Sequence, residues 1–193
     1  MQVNKKIIFF VGFVLVLSNA FSQTSSPIIG YDKVQWGASI QNVTQAYPTI
    51  REITSDDSDI GVKAYIQRNV GNGISERRFY FFNSRLYKVA VDYEEQSDPV
   101  AAFLALADRL VAIYGKFDTQ NSHQSPSGNY VLKFLDFIRN YNNNLEIFLR
   151  TVDVVNRFNN VIENSILVIY SNPVTESEIE VARRRYMGNN LGL

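Results

Sequence analysis

Residues 62–93 restrict the fold most. Val62, Ala64 and Ile66 alternate with Lys63, Tyr65 and Gln67, which is the period of a half-buried strand. Gly71-Asn72-Gly73 and Asn83-Ser84 interrupt the pattern at short range. Such turns suit hairpins, because Gly and Asn tolerate positive φ. Between the turns runs the aromatic-rich stretch Arg78–Phe82, and Leu86–Tyr93 returns beyond the second turn. Strands joined this tightly pair antiparallel, since a parallel connection needs a long crossover. In the last run the alternation places Tyr87, Val89, Val91 and Tyr93 on one face. Leu86, Lys88, Ala90 and Asp92 fall on the other.

Helices frame this block. Ser39 is placed to cap a helix whose stripe is Ile40, Val43 and Tyr47, and Pro48 stops it. Asp98 and Pro99 open a longer helix with Val100, Phe103, Leu104, Ala107, Leu110, Val111 and Tyr114 as its apolar face, and Gly115 ends it. The polar tract from Thr119 to Asn129 reads as a loop. Strand-like runs then follow over Tyr130–Arg139, Leu145–Val152 and Ile162–Tyr170, the first two joined by Tyr141-Asn-Asn-Asn144. Pro173 introduces a last helix, with Thr175 and Glu178 at capping-box spacing. Ile179, Ala182 and Tyr186 form its inward edge, and Gly188 ends it. The expected fold class is α+β: an antiparallel β-sheet with helices packed on one face. The order also allows two tandem helix-plus-strands units, from about 39 to 93 and 98 to 171.

Residues 1–22 read as a cleavable leader. Lys5 and Lys6 precede an apolar run from Ile7 to Leu17, and Ala20 and Ser22 place small residues before a cut at Gln23. The run is too short to span a bilayer and has the length of a signal-peptide core. Lys5 and Lys6 leave with it, so the balanced precursor, with 19 basic and 19 acidic residues, becomes slightly acidic. The remaining residues, 23–193, are expected to form a single domain. No second apolar run is long enough for a membrane span. The chain has no cysteine, so an exported domain would be stabilised by packing alone, which fits a bacterial envelope. The expected location is periplasmic or secreted.

Little catalytic chemistry is visible. Without cysteine, thiolate metal sites and cysteine nucleophiles are excluded, and a single histidine excludes multi-histidine sites. His123 lies among Ser, Gln and Pro, which reads as a solvated loop, and no nucleophile elbow occurs. Asp56, Asp57, Asp59 and Gly61 fail the calcium-loop register, because Arg68 or Gln67 stands where the bidentate acid belongs. Glu94, Glu95 and Asp98 suit the start of a helix. Arg183, Arg184 and Arg185 spread around a helix rather than forming one patch, and the neutral balance argues against nucleic acid. No phosphate loop or dinucleotide fingerprint is present, so no cofactor and no metal are expected.

The remaining feature is aromatic content. Trp36, Tyr80, Phe82, Tyr87 and Tyr93 are candidate binding residues, since aromatics on a sheet give large rigid contact area. Burial of both faces of Arg78–Phe82 is the competing expectation.

Trp36-Gly-Ala-Ser39, followed by Val43 and Tyr47-Pro48, resembles the start of small exported bacterial α+β domains, as do Leu86–Val91 and Tyr114-Gly-Lys116. The element order is similar to the beta-lactamase-inhibitory-protein-like fold. Over its first part it is also similar to outer-membrane assembly lipoproteins of the SmpA/OmlA type. The chain lacks the disulfides of the first and the lipid-bearing cysteine of the second. The resemblance implies a protein-binding role without catalysis. The expected function is therefore an exported, non-enzymatic binding or accessory protein of the bacterial cell envelope, contacting a protein partner through an aromatic-rich sheet face. The alternatives are a hydrolase using carboxylates among Asp56, Asp92, Glu94 and Glu95, and a purely structural surface protein.

Overall fold

A computed structural model describes residues 30–191. The leader read at 1–22 and the polar lead-in before residue 30 lie outside the described residues. The chain runs β1 (Gly30–Tyr31), β2 (Val34–Gln35), α1 (Ile40–Ala46), β3 (Arg51–Ile53), β4 (Val62–Gly71), β5 (Ile74–Phe82) and β6 (Arg85–Tyr93). It continues with α2 (Pro99–Tyr114), β7 (Thr119–Ser127), β8 (Tyr130–Tyr141), β9 (Leu145–Asn156), β10 (Val161–Ser171) and α3 (Pro173–Leu191). β1 and β2 form a small hairpin, and the other eight strands form one sheet in the order β3-β4-β5-β6-β10-β9-β8-β7, antiparallel throughout. The α+β class and the antiparallel sheet are as the alternation and turns indicated.

Local chemistry sets the element ends. The Ser39 hydroxyl accepts from the Asn42 N–H at 3.3 Å, and the Asp98 carboxylate accepts from the Ala101 N–H at 3.0 Å behind Pro99. Asn83 and Ser84 both have positive φ, 48° and 62°, as a tight two-residue hairpin requires. Thr175 does not cap α3. Asn172 does: its Oδ1 accepts from the Val174 and Thr175 N–H groups at 3.0 and 3.2 Å. α3 also continues through Gly188 to Leu191, because glycine in a last turn weakens a helix without ending it.

Helices cover both faces of the sheet, not one. Val43 and Tyr47 of α1 pack on Phe79, Phe81, Val89 and Val91, while Phe103, Ala107 and Leu110 of α2 pack on Leu145, Ile147, Leu149, Ile166 and Val168. Ile179 of α3 packs instead with Val62, Tyr87, Tyr80 and Phe82. Successive residues of β5 point to opposite sides, so Phe79 and Phe81 meet α1 while Tyr80 and Phe82 meet α3. Both faces of that strand carry aromatics, and each draws a helix. Fully burying a side chain such as Phe79 contributes roughly 2–3 kcal/mol relative to exposure.

A β-bulge alters the expected facing of β6. The register passes from Tyr80↔Lys88 to Phe81↔Leu86, leaving Tyr87 as an extra residue. Leu86 therefore joins Val89 and Val91 beneath α1, and Tyr87 turns to α3. Val100 and Leu104 likewise leave the expected apolar face of α2 and are exposed, because Phe103, Ala107 and Leu110 already define the contact stripe.

The tract 119–127 is a nine-residue edge strand rather than a loop. Ser, Asn, Gln and Pro have low strand preference, but β8 offers an unbroken register from Thr119↔Ile138 to Ser127↔Tyr130, and the tertiary pairing overrides the preference.

Candidate functional site

The sheet face opposite α1 and α2 has two halves. Over β4 to β6 it meets α3. Over β7 to β10 it presents cross-strand rows read directly from the register. One row is Ile138, Phe148, Ile169 and Ala90. The next is Asp136, Arg150, Leu167 and Asp92. A third is His123, Phe134, Val152 and Ser165, and a fourth brings Leu132 beside Val154. Ile138, Phe148, Ile169, Leu167, Phe134, Val152, Leu132 and Val154 are all half-buried. None belongs to the three hydrophobic clusters that the helices build with the sheet. Among the described residues, no helical cluster covers this apolar half-face.

Its centre is ionic. Arg150 donates through Nε and Nη2 to the two carboxylate oxygens of Asp136 at 2.7 and 2.8 Å, the planar bidentate geometry that suits guanidinium. The hydrogen bond to Asp136 holds the Arg150 pKa above its ordinary value. The guanidinium lies over the rings of Phe134 and Phe148 at 4.9 and 4.8 Å, an attractive arrangement for a cation on aromatic faces. His123 stacks on Phe134 with ring centres 4.5 Å apart, and its Nδ1 is 3.8 Å from Asp136. This histidine is therefore held by the sheet, not free in a loop. With both oxygens of Asp136 engaged by Arg150, the group is a structural anchor for the surrounding rings.

The five candidate aromatics are placed in two groups. Tyr80, Phe82 and Tyr87 lie in the α3 cluster, with Tyr87 only 2% exposed. Trp36 and Tyr93 are half-buried and pack against both the α1 and the α2 clusters, on the opposite face. The five do not form one surface, although Trp36 and Phe82 come together at one cavity. Among the described residues the buried Trp36 indole N–H has no partner, and it lies beside a surface cavity of about 480 Å³ also lined by Phe82, Arg85 and Asn172.

The acidic candidates are dispersed. Asp92 accepts from Arg78, and Glu94 and Glu95 are exposed. Asp56 lines a cavity of about 310 Å³ with Asp57, Arg78, Tyr80, Tyr87 and Lys88. Asp92, Glu94 and Glu95 are not among its lining residues. Asp57 is committed to Arg183, whose Nε and Nη2 donate to it at 3.1 and 2.9 Å. Tyr186 donates to Asp59 at 3.1 Å. The acidic loop thus anchors α3, and Arg183 is not a solvated residue of a basic run.

Sequence reasoning missed the Phe134, Phe148, Arg150 and Asp136 group. Its signal was present as aromatics and opposite charges in two adjacent strands, but the pairing register is what brings them onto one face. Comparison with family models, with curated proteins and with solved structures returned no match.

Proposed function

We propose that the chain is an exported, non-enzymatic binding or accessory protein of the bacterial cell envelope, and that its protein partner docks on the bare half-face of β8, β9 and β10. The observation that carries this reading is the contiguous set of half-buried apolar side chains around Arg150 that, among the described residues, no helical cluster covers. Contiguous apolar surface left partly open to solvent on a sheet suits a contact site. Arg and aromatic residues at its centre are the types that carry most interface energy. Export is supported by the basic, apolar and small-residue order of the first 22 residues.

The tandem reading belongs to the same proposal. Each unit is a helix followed by four strands, α1 with β3 to β6 and α2 with β7 to β10. The sheet order, in which β6 and β10 meet at the centre, supports it. In the first unit the outer sheet face is covered by α3. In the second, the equivalent face is left for the partner.

The test is capture from envelope extract with wild type, Phe148→Glu, Val152→Glu and, as control, Val100→Glu on the exposed side of α2. The reading expects a discrete partner retained by wild type and Val100→Glu and lost from the two sheet variants, all four folding equally by circular dichroism. Equal recovery by all four, or no specific partner at all, contradicts it.

A further inference from the structure

Among the described residues the sheet has two edges, and only one of them is defended. β3 has three residues and carries Arg51 and Glu52, a short and charged edge of the kind that resists pairing. β7 has nine residues, Thr-Gln-Asn-Ser-His-Gln-Ser-Pro-Ser, without Lys, Arg, Asp or Glu. Every residue of β7 is exposed, and its register with β8 contains no bulge. Only Pro126 interrupts it.

The hairpin that follows fixes which main-chain groups face outward. Gly128 and Asn129 join Ser127 to Tyr130, and Gly128 has φ 60° as the first central residue, the type II′ arrangement. In a two-residue hairpin the flanking pair, here Ser127 and Tyr130, exchanges both hydrogen bonds. Alternation then turns the main-chain groups of Pro126, Gln124, Ser122 and Gln120 away from β8. Pro126 fits this phase, because the donor it lacks is one that β8 would not use. Gln120, Ser122 and Gln124 thus present paired N–H and C=O groups to whatever lies beyond the edge.

We propose that β7 is a self-pairing edge that joins two copies of this chain through an antiparallel β7–β7 contact with its two-fold axis at Ser122. The segment Gln120-Asn121-Ser122-His123-Gln124 is nearly palindromic in chemistry. About that axis Gln120 falls opposite Gln124, Asn121 opposite His123, and Ser122 opposite itself. Amide meets amide and hydroxyl meets hydroxyl, and no like charges oppose each other, as an isologous interface requires. The ladder ends symmetrically, because Pro126 falls opposite Asp118. Arg139 and the Asn140 N–H hold that carboxylate, both at 2.7 Å. Pairing extends the sheet across both copies and sets their two bare half-faces side by side. The proposal does not depend on the identity or existence of the envelope partner.

The contact is read by analytical ultracentrifugation of the purified protein up to ~100 µM, a range that captures the small, edge-only interface expected here. Wild type is expected to reach a dimer. Ser122→Pro removes an outward donor while leaving every bond to β8 in place. It is expected to raise the dimer dissociation constant at least about tenfold with an unchanged circular dichroism spectrum. Ser122→Lys, which sets two ammonium groups on the axis, is expected to do the same. In this cysteine-free chain, Ser122→Cys is expected to form a covalent dimer on mild oxidation, because paired strands lie within disulfide reach. Ser97→Cys, at an exposed position away from the edge, is expected to stay monomeric. A wild type that remains monomeric throughout, as it would if β7 instead received an extended segment of another protein, overturns the proposal. So does a dimer that survives both Ser122→Pro and Ser122→Lys.

Discussion

Arg150 and Asp136 face each other across β8 and β9 as a planar bidentate pair, at 2.7 and 2.8 Å, flanked on the same sheet face by Phe134, Ile138, Phe148 and Val152. Asp136 is buried and the Arg150 side chain is 29% exposed, so removing Asp136 leaves a partly hydrated guanidinium without its partner. Asp136→Ala is expected to cost about 2 kcal/mol, between the values for exposed and fully buried pairs. The double change Asp136→Leu with Arg150→Met is expected to recover most of it, because two apolar side chains need no pairing. Urea denaturation of Asp136→Ala and of the double variant checks this. A double variant as unstable as Asp136→Ala would contradict it.

Arg183 ties α3 to the loop before β4. The arginine side chain is 41% exposed and Asp57 29%, so solvent screens the pair and Arg183→Ala is expected to cost only about 0.5–1 kcal/mol. The local effect is larger. Amide exchange along α3 is expected to accelerate while exchange in β5 and β6 stays slow, since those strands remain held by α1. Uniform acceleration across the sheet would show that α3 is not a separable layer.

Asn172, not Thr175, caps α3. Asn172→Ala is expected to destabilise by about 1 kcal/mol and Thr175→Ala by much less, measured by thermal denaturation. The reverse ranking would restore the capping-box reading.

Burial raises the pKa of several tyrosines. Tyr31 is pushed up to about 12 by desolvation, against an ordinary value of 10.0. Tyr47, Tyr87 and Tyr170 are raised further, burial being the largest cause in each. The folded protein therefore holds phenolic protons that the unfolded chain gives up near pH 10. Stability from these groups is complete below that pH and is lost as pH rises above it. Phenolate absorbance from this group and loss of far-ultraviolet dichroism are expected to rise together above about pH 10. Ionisation of all 11 tyrosines near pH 10 with the fold intact would contradict the burial.

Much of the architecture is legible from local signals. The alternation of Val62, Ala64 and Ile66, the turn at Asn83-Ser84 and the caps at Ser39 and Asp98 act within a few residues, and each forms as read. What sequence alone does not give is long-range pairing. β7 has no strand preference of its own and exists because β8 templates it. The bulge at Tyr87 exchanges two side chains between faces, although the plain alternation of residues 86–93 gives no sign of it. The Asp57–Arg183 pair spans 126 positions, so neither residue alone marks the contact. For the same reason the aromatics between Trp36 and Tyr93 look like the natural contact surface in sequence. α3 covers Tyr80, Phe82 and Tyr87, and among the described residues Phe134 and Phe148 are rings that no helical cluster covers.

The central claim is that the partner docks on the bare half-face of β8, β9 and β10, and site-specific photo-crosslinking in cells tests it most directly. A photoreactive phenylalanine analogue at position 148 or 134 is expected to yield one discrete adduct. The same analogue at position 82, under α3, or at position 104, outside α2, is expected to yield none. Adducts of equal strength at 104 and 148, or none at 148 and 134, would contradict the claim.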